Sequence, residues 1–297
     1  RVLVREFRAE RGVEAPTPGE TAVVEEGGFG ILHDDRFRDD RRVLVIEKGV
    51  DSVIGFAHLP LYWEAKLGTL DKGKTYGNIS ALLSPTASIQ QMAVRGDSNI
   101  KSFADLKNKR INCGKKGTGG EITCLRLLET YGITYDSVRA NGGQVSFLDH
   151  TEMGIALKDR TLDFTNLSGE MPHSVLVEAE TTTPIRLLNI DKPNLDALQK
   201  KYPYYTTTKI PAKTLKGTPN DVTALVNAAT LIVNNKGLSD EFVYEVVKLI
   251  MTKAKDFQAA LPFMNLLVPP AKALDGLKPE LMHPASIRYF KGIGVLK

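Results

Sequence analysis

The stretch that most constrains the fold is residues 110–132, which read RINCGKKGTGGEITCLRLLETYG. A short apolar segment is followed there by a glycine-rich turn, and then by apolar residues at helical spacing. Thr118 with Glu121 three residues later is the pattern of a reciprocal capping box, and Gly132 stands where glycine commonly ends a helix. These residues therefore predict a strand, a turn and an amphipathic helix.

The predicted turn has the chemistry of an anion site. The N–H groups of Thr118, Gly119 and Gly120 have no acceptor within the helix, and they lie at the positive end of its dipole. The glycine spacing fits neither the phosphate loop G-x-x-x-x-G-K-[ST] nor the dinucleotide motif G-x-G-x-x-G. On these residues alone two interpretations stay open, an ordinary capped turn or a site for a carboxylate or phosphate.

Strand and helix patterns alternate on both sides of this unit. Further predicted strands cover residues 53–57, 78–84, 89–94, 144–147, 163–167 and 185–189, and predicted helices cover residues 59–67, 102–106, 151–158 and 172–179. Later predicted helices end near residue 201 and cover residues 240–261 and 271–274, and a strand is expected in the latter part of residues 222–233. Such alternation is typical of a parallel α/β sheet.

A second turn repeats the geometry of the first. Residues 168–173, SGEMPH, follow the predicted strand 163–167 and precede a predicted helix. A simple connection and a ligand contact are both compatible with this pattern. Because open α/β sheets bind ligands beyond the carboxyl ends of their strands, two such turns favour a ligand site.

Motifs of catalysis and metal binding are missing from the sequence. The five histidines stand apart, and neither H-E-x-x-H nor G-x-S-x-G occurs. We therefore predict no metal, no cofactor and no catalytic residues. A net charge of +4 without a basic block excludes a nucleic-acid partner, and no apolar run reaches the length of a membrane span. The first residues do not resemble a signal peptide, so an exported protein would be present here in a mature or recombinant form.

The two cysteines, Cys113 and Cys124, could form a bridge. However, Cys124 lies about 9 Å up the predicted helix from its start. Bridged Cα atoms lie within about 7 Å of each other. Two buried free thiols are therefore the favoured interpretation.

The N-terminal segment differs in composition from the rest. Residues 1–42 contain eight arginines and no lysine, whereas all 24 lysines lie beyond them. One interpretation is a flexible charged arm. Another is a different coding origin, for instance a frame error.

Several segments taken together resemble a known family. They are IKSFADLKNKRI at residues 100–111, LLETYGITYD at 127–136, KKYPYY at 200–205, IPAKTLKG at 210–217 and HPASIRYFK at 283–291. With the glycine turn, this collinear series resembles the TAXI family, the extracytoplasmic substrate-binding proteins of tripartite ATP-independent periplasmic (TRAP) transporters. The chain departs from the family at its front, because residues 1–40 lack the Gly-Thr-Gly-Gly-x-Tyr turn with which members usually begin.

The resemblance implies an α/β, two-lobed periplasmic-binding-protein fold of the second type, with a ligand cleft between the lobes. Lobe one would hold residues 1–93 and 208–297, and lobe two residues 94–207. The implied protein is not an enzyme but a monomeric periplasmic receptor that captures a small carboxylate, similar to glutamate or 2-oxoglutarate. It would deliver this ligand to TRAP membrane subunits and would touch the membrane only through that transporter.

Four segments would line the implied cleft. The expected ligand-binding residues are Ala57, His58, Thr86, Ala87, Ser88, Gly117, Thr118, Gly119, Gly120, Glu121, Ser168, Gly169, Glu170 and His173. Lys115, Lys116 or Arg95 could supply a cation for the carboxylate, although sequence does not place them in the cleft.

Two other functions stay open on sequence. One is an α/β enzyme acting on a small carboxylated or phosphorylated metabolite, with Glu121, Glu170 or His173 in acid–base roles. The other is a sensor or adhesin-like surface protein that uses the same closure as a signal.

Overall fold

The computed structural model describes residues 54–70, 73–260 and 266–297. The two interpretations of residues 1–42 lie outside these ranges, as does the part of lobe one expected there. Among the described residues, no helix has the length and apolar character needed to cross a membrane.

Eight strands of the described residues form one sheet. They are β1 (Ile54–His58), β2 (Ile79–Arg95), β3 (Arg110–Asn112), β4 (Gln144–Ser146), β5 (Phe164–Gly169), β6 (Ile185–Leu187), β7 (Thr206–Ile210) and β8 (Val222–Asn234). The order is β1-β8-β2-β5-β3-β4, with β6 also on β2 and β7 also on β8.

The α-helices are α1 (Leu59–Leu67), α2 (Gly119–Thr130), α3 (Tyr135–Ala140), α4 (His150–Lys158), α5 (Ser174–Ala179), α6 (Lys192–Lys201), α7 (Asp240–Thr252), α8 (Ala254–Ala260) and α9 (Pro284–Gly292). The described residues also form short 3-10 helices at Phe103–Asn108, Pro270–Leu274 and Pro279–Leu281. The predicted helix over 240–261 is interrupted at Lys253, between α7 and α8.

The parallel sheet expected from the sequence is found only in part. Strand β3 runs parallel to β4 and β5, whereas the pairs formed by β2 and β8 are antiparallel. The expectation was wrong because alternating strand and helix patterns do not encode strand direction. Direction is set here by the two long strands, which pair with each other and take antiparallel neighbours on both sides.

The two strands predicted at 78–84 and 89–94 are one strand of 17 residues, β2. Pro85 lies between the predicted pieces, and it has no N–H to donate to a ladder. The pairing with β8 shifts register between Ala81 and Leu83 and again between Leu83 and Thr86. These irregularities absorb the proline, so the strand continues through it.

Helices cover both faces of the sheet with different cores. On one face, α1 and α2 pack over a single cluster that runs from Ile79 on β2 to Phe164 on β5. On the other face, α7 and α9 cover one cluster around Leu83 and Val233, while α4 and α5 cover a separate cluster around Leu167. The first face therefore has a continuous core, and the second has two.

The expectation of free thiols was wrong, because Cys113 and Cys124 form a disulfide with their Cα atoms 5.4 Å apart. The rise of Cys124 along the helix predicts a long separation only if Cys113 lies at the helix start. In the structure α2 lies beside the end of β3, since a Cβ built on Gly114 would be 3.3 Å from the backbone nitrogen of Glu121. Cys113 therefore lies within reach of the second turn of α2.

A buried ion pair joins α1 to α2. Arg126 on α2 donates from Nε to Glu64 Oε1 at 2.9 Å and from Nη2 to Glu64 Oε2 at 3.1 Å, while only 1% of the Glu64 side chain is exposed. Arg126 also contacts Glu129 at 2.7 Å and lies 5.4 Å from the centre of the Tyr202 ring. A bidentate pair of this kind fixes the relative position of the two helices.

Replacing Arg126 tests how much this buried ion pair contributes to stability. In Arg126→Met, the Glu64 carboxylate loses its bidentate partner while the site stays apolar, so we expect a loss of about 3–5 kcal/mol in the free energy of unfolding. The control is Arg139→Met, because Arg139 pairs with Asp136 on the surface, where their side chains are 50% and 97% exposed. That change should cost less than about 1 kcal/mol. Urea unfolding measures both, and equal small losses would contradict the prediction.

Candidate functional site

The glycine turn, residues 117–121, is held by contacts from within itself. Thr118 Oγ1 accepts the N–H of Glu121 at 3.3 Å, which is one half of the expected capping box. The other half does not form, because Glu121 Oε2 accepts the N–H of Gly117 at 3.0 Å instead of that of Thr118. At the far end, Gly132 adopts a φ of 70° and ends α2 as predicted.

Because of these contacts, fewer backbone N–H groups are available to an anion than the sequence predicts. The N–H of Thr118 donates to the carbonyl of Lys115 at 3.2 Å and is therefore used. The N–H of Gly120 has no acceptor among the described residues, and it lies in the first turn of α2, at the positive end of the helix dipole. Gly120 is thus the donor that the structure leaves at the helix start.

Glu121 lies on the inner side of the turn. Its side chain accepts the Tyr135 hydroxyl at 2.8 Å in addition to the Gly117 N–H, and the residue is only 5% exposed. Burial, reinforced by this carboxylate, raises the pKa of Tyr135, so the phenol stays a donor. The geometry gives Glu121 a supporting role beneath the turn.

A row of polar side chains crosses the sheet beside the glycine turn. Directly paired residues of antiparallel strands share a face, and here Ser88 pairs with Asn227 while Gln90 pairs with Ser168. Asn166, two residues from Ser168 on β5, lies on that face as well. We call Ser88, Gln90, Asn166, Ser168 and Asn227 the polar stripe.

The polar stripe fixes the first turn of α2 on the sheet. Asn166 Nδ2 donates to the carbonyl of Gly120 at 3.0 Å and to Gln90 Oε1 at 3.0 Å. Asn227 Nδ2 donates to the carbonyl of Gly119 at 3.1 Å. Buried amides need such partners, because an unpaired polar group in an apolar interior is costly.

Three members of the polar stripe, Gln90, Asn166 and Asn227, are not among the residues predicted from the sequence. A signal was present, because amide side chains are uncommon inside strands and these residues interrupt the largely apolar runs IQQMAV, FTNL and TALVNAAT. Their common face could not be recognised without the strand pairing.

Some of the predicted residues from the other segments lie beside the glycine turn. The ring of His58 packs on Gly119, since a Cβ built on Gly119 would lie 2.5 Å from His58 Cγ. Ala57 is buried next to it, and Thr86 is half-buried on the same face as Ser88. A Cβ on Gly120 would be 3.3 Å from Ser168 Cβ. The structure thus brings together His58, the glycine turn and Ser168.

The remaining predicted residues belong to the opposite face. Gln91, the neighbour of Gln90, donates to the carbonyl of Glu170 at 2.7 Å and accepts the N–H of His173 at 2.8 Å. The His173 ring lies against Gly169, whose Cβ, if built, would be 3.1 Å from Cδ2. Ala87, one residue from Ser88, points to this face too. The Glu170 side chain is exposed.

His173 and His150 form a neutral pair at the starts of α5 and α4. His173 Nδ1 accepts the N–H of Val175 at 3.3 Å, which assigns its proton to Nε2, and Nε2 lies 3.1 Å from His150 Nδ1. Burial and, to a smaller extent, the neighbouring His150 lower the pKa of His173 to about 4, although the charge of Glu170 acts in the opposite direction. Burial also lowers the pKa of His150.

The candidate cations occupy different places. Arg95 lies at the end of β2, where it contacts Asp97 at 3.3 Å and Asp163 at 3.7 Å, so it is engaged away from the glycine turn. Lys115 and Lys116 are exposed on the loop that leads into the turn. In the described part of the chain, no cluster of three or more histidine, cysteine, aspartate or glutamate residues could hold a metal ion.

The family of this chain follows from a comparison with known proteins. The model of the NMT1-like family, whose members are periplasmic-binding-protein-like, matches residues 52–294. The chain belongs to this family. The family consists of solute-binding receptors and not of enzymes, so the enzyme alternative is set aside and the solute-binding part of the resemblance is confirmed.

Solved structures are similar in fold. XAC2383 from Xanthomonas citri, bound to ATP, is 15% identical over 86% of this chain and 82% of its own, with a TM-score of 0.50. The periplasmic aliphatic sulphonate binding protein SsuA from Escherichia coli is 13% identical over 86% and 75%, with a TM-score of 0.42. A TRAP periplasmic solute binding protein from Sulfitobacter, with bound β-D-galacturonate, is 13% identical over 86% and 80%, with a TM-score of 0.40.

The predicted fold class is confirmed. The chain has a mixed α/β fold of the kind found in two-lobed periplasmic solute-binding proteins.

Substitution of Gly119 should test the packing of the site. In Gly119→Ala the new methyl group would overlap the His58 ring, so we expect a loss of about 1–3 kcal/mol in the free energy of unfolding. The control is Gly292→Ala in α9, where a Cβ meets nothing within 4 Å. That change should be neutral or stabilising by up to about 1 kcal/mol. A tolerated Gly119→Ala in urea unfolding would contradict the close contact.

Stability should fall in acid because of His173. Above pH about 6.5 the ring is neutral in both states. Between there and the folded pKa of about 4, only the unfolded chain takes up the proton, so the free energy of unfolding decreases as the pH falls. The slope for one group is at most about 1.4 kcal/mol per pH unit.

The variant His173→Asn isolates this effect, because asparagine also accepts an N–H at a helix start but does not titrate. We expect urea unfolding of the variant to lose less stability than the wild type between pH about 6.5 and 4.5. Parallel curves for the two proteins would refute the assignment.

Proposed function

We propose that this protein is an extracytoplasmic receptor that binds a small carboxylate between two lobes and delivers it to a TRAP transporter. The ligand is similar to glutamate or 2-oxoglutarate. One observation carries the proposal: the polar stripe and the start of α2 meet where β2 and β8 pass from one half of the sheet to the other. Backbone and side-chain donors converge there beside the positive end of a helix.

The division into lobes is part of the proposal. The first half of β2 pairs with the end of β8 that also carries β1, while its second half pairs with β5 and β6. Two strands that belong to both halves can act as a hinge. This supports a division into two lobes that share β2 and β8, and we keep lobe one as residues 1–93 and 208–297 and lobe two as residues 94–207.

The ligand contacts are proposed from this geometry. The N–H of Gly120 would bind the carboxylate, assisted by the hydroxyls of Ser88 and Ser168, with His58 closing the site from lobe one. Lys115 and Lys116 on the loop add positive potential. Of the residues expected from the sequence, Ala57, Thr86, Gly117, Thr118 and Gly119 stay in the proposed wall. Ala87, Glu121, Gly169, Glu170 and His173 are assigned to supporting the two turns.

The proposal also includes the location, the partners and the oligomeric state of the protein. The periplasm is an oxidising compartment, and the Cys113–Cys124 disulfide fits such a location. Membership of a periplasmic-binding-protein-like family supports it as well. Delivery to TRAP membrane subunits rests on the collinear TAXI resemblance. A monomeric state stays a prediction.

A thermal-shift screen tests the ligand class. We expect L-glutamate, 2-oxoglutarate or succinate to raise the unfolding midpoint, because a ligand at 100 times its Kd stabilises the folded state by about 2.7 kcal/mol. L-Glutamine, which keeps the α-carboxylate but has zero net charge, and uncharged glycerol serve as comparisons. A flat response to every carboxylate would refute the proposal.

Ser88→Asp tests where the carboxylate binds. A negative charge in the polar stripe should repel an anionic ligand, so we expect at least a tenfold loss in affinity for the best carboxylate of the screen. The matched control is Thr207→Asp, because Thr207 is exposed on β7 of the same sheet. Isothermal titration calorimetry measures the affinity of both variants. Equal affinities would mean that the carboxylate does not bind at the polar stripe.

A further inference from the structure

We propose that the Cys113–Cys124 disulfide is a positioning element of the ligand site, which holds the glycine turn in its binding geometry. Its loss should weaken ligand binding while the fold persists. This inference rests on the proposed function, and it adds to that function a pair of residues that do not touch the ligand.

The disulfide spans the glycine turn in the chain. Cys113 directly follows β3, and Cys124 lies in the second turn of α2, at a separation of 11 residues. The loop that the bridge closes therefore includes the whole glycine turn. Both cysteines are fully buried, with an exposed fraction of 0%. The bridge is thus shielded from solvent reductants and belongs to the permanent structure.

The closed loop needs such a constraint. It contains four glycines, and two of them, Gly114 and Gly117, adopt positive φ values of 129° and 80°. Glycine-rich segments lose more backbone entropy on ordering than others, so they populate many conformations when unrestrained. A covalent link across the base of the loop removes most of these conformations.

The disulfide acts together with Asn166. Asn166 Nδ2 lies 3.3 Å from the carbonyl of Cys113 and 3.0 Å from that of Gly120. One side chain of the polar stripe therefore contacts both the base of the loop and the residue that presents the free N–H. Without the bridge, no covalent link near the turn would fix the position of Gly120 relative to β3, which would then depend on hydrogen bonds and packing contacts.

The rest of the fold has its own support. Strand β3 is paired on both sides, with β4 and with β5. The later part of α2 buries Leu127 and Leu128 in the core beneath α1 and α2. Loss of the bridge should therefore loosen the glycine turn and leave the sheet and helix in place.

The test compares wild-type protein with the double variant Cys113→Ala/Cys124→Ala. L-Glutamate and 2-oxoglutarate are titrated by calorimetry, and amide hydrogen exchange is followed in the ligand-free proteins. We expect at least a tenfold higher Kd for the bound probe and at least tenfold faster exchange in residues 114–123. Exchange in β2 should be unchanged, and the far-UV circular dichroism should be that of the wild type.

A control separates positioning from general destabilisation. Val247→Ala lowers stability in the core of α7 and α9, away from the glycine turn. Its Kd should stay at the wild-type value. A similar rise in Kd for Val247→Ala and the double variant would overturn the inference.

The other possible results of this test also support or contradict the inference. If the wild type binds a probe and the double variant binds it equally well, the inference is wrong. If the double variant loses its circular dichroism, the bridge is needed for folding itself and the inference is wrong again. If neither probe binds to the wild type, the proposed ligand class fails, and hydrogen exchange alone then supports or overturns the positioning role.

Discussion

The antiparallel pairing of β2 with β8 is the interaction on which the rest of the structure depends. These two strands, of 17 and 13 residues, are the longest of the described sheet and lie in both of its halves. Each of the strands β1, β5, β6 and β7 pairs directly with one of them. Their register also decides which side chains share a face, so it creates the polar stripe from residues far apart in sequence.

Buried amides make this arrangement specific. Asn166 on β5 and Asn227 on β8 are buried, and each donates to a carbonyl in the first turn of α2. In a low-dielectric interior such a hydrogen bond is strong when made and costly when lost. A shift of either strand by one residue would turn these amides to the wrong face and leave the carbonyls of Gly119 and Gly120 without them. The polar stripe therefore penalises alternative registers as well as fixing the helix.

The sequence predicts what is local and misses what depends on pairing. The end of α2 at Gly132 and the N-cap at Thr118 follow from the preferences of single residues, and they are confirmed. The direction of the strands and the common face of Gln90, Asn166 and Asn227 arise from contacts across the sheet, which no local pattern encodes. The disulfide was missed for a related reason, since the distance from Cys113 to Cys124 depends on how α2 lies beside β3.

The second half of the capping box failed because of a closer competitor. Glu121 reaches Gly117, where a positive φ turns the N–H toward the carboxylate, instead of Thr118, whose N–H is bound to Lys115. The four ligand segments expected from the sequence do lie around one region of the sheet, but on two faces. The glycine turn, Ser88 and Ser168 share one face, while His173 and Gly169 belong to the other.

The continuous core beneath α1 and α2 sets the cost of opening the proposed cleft. In the proposed division α1 would lie in lobe one and α2 in lobe two, so separation of the lobes would part the ion pair of Glu64 with Arg126 and the contact of His58 with Gly119. The free-energy cost of separating a buried ion pair would be very large if both charges stayed shielded from water. Opening admits water to both, and hydration offsets much of the lost attraction. In the proposed receptor the pair would therefore align the closed lobes without holding them shut, and ligand binding would set which state is populated.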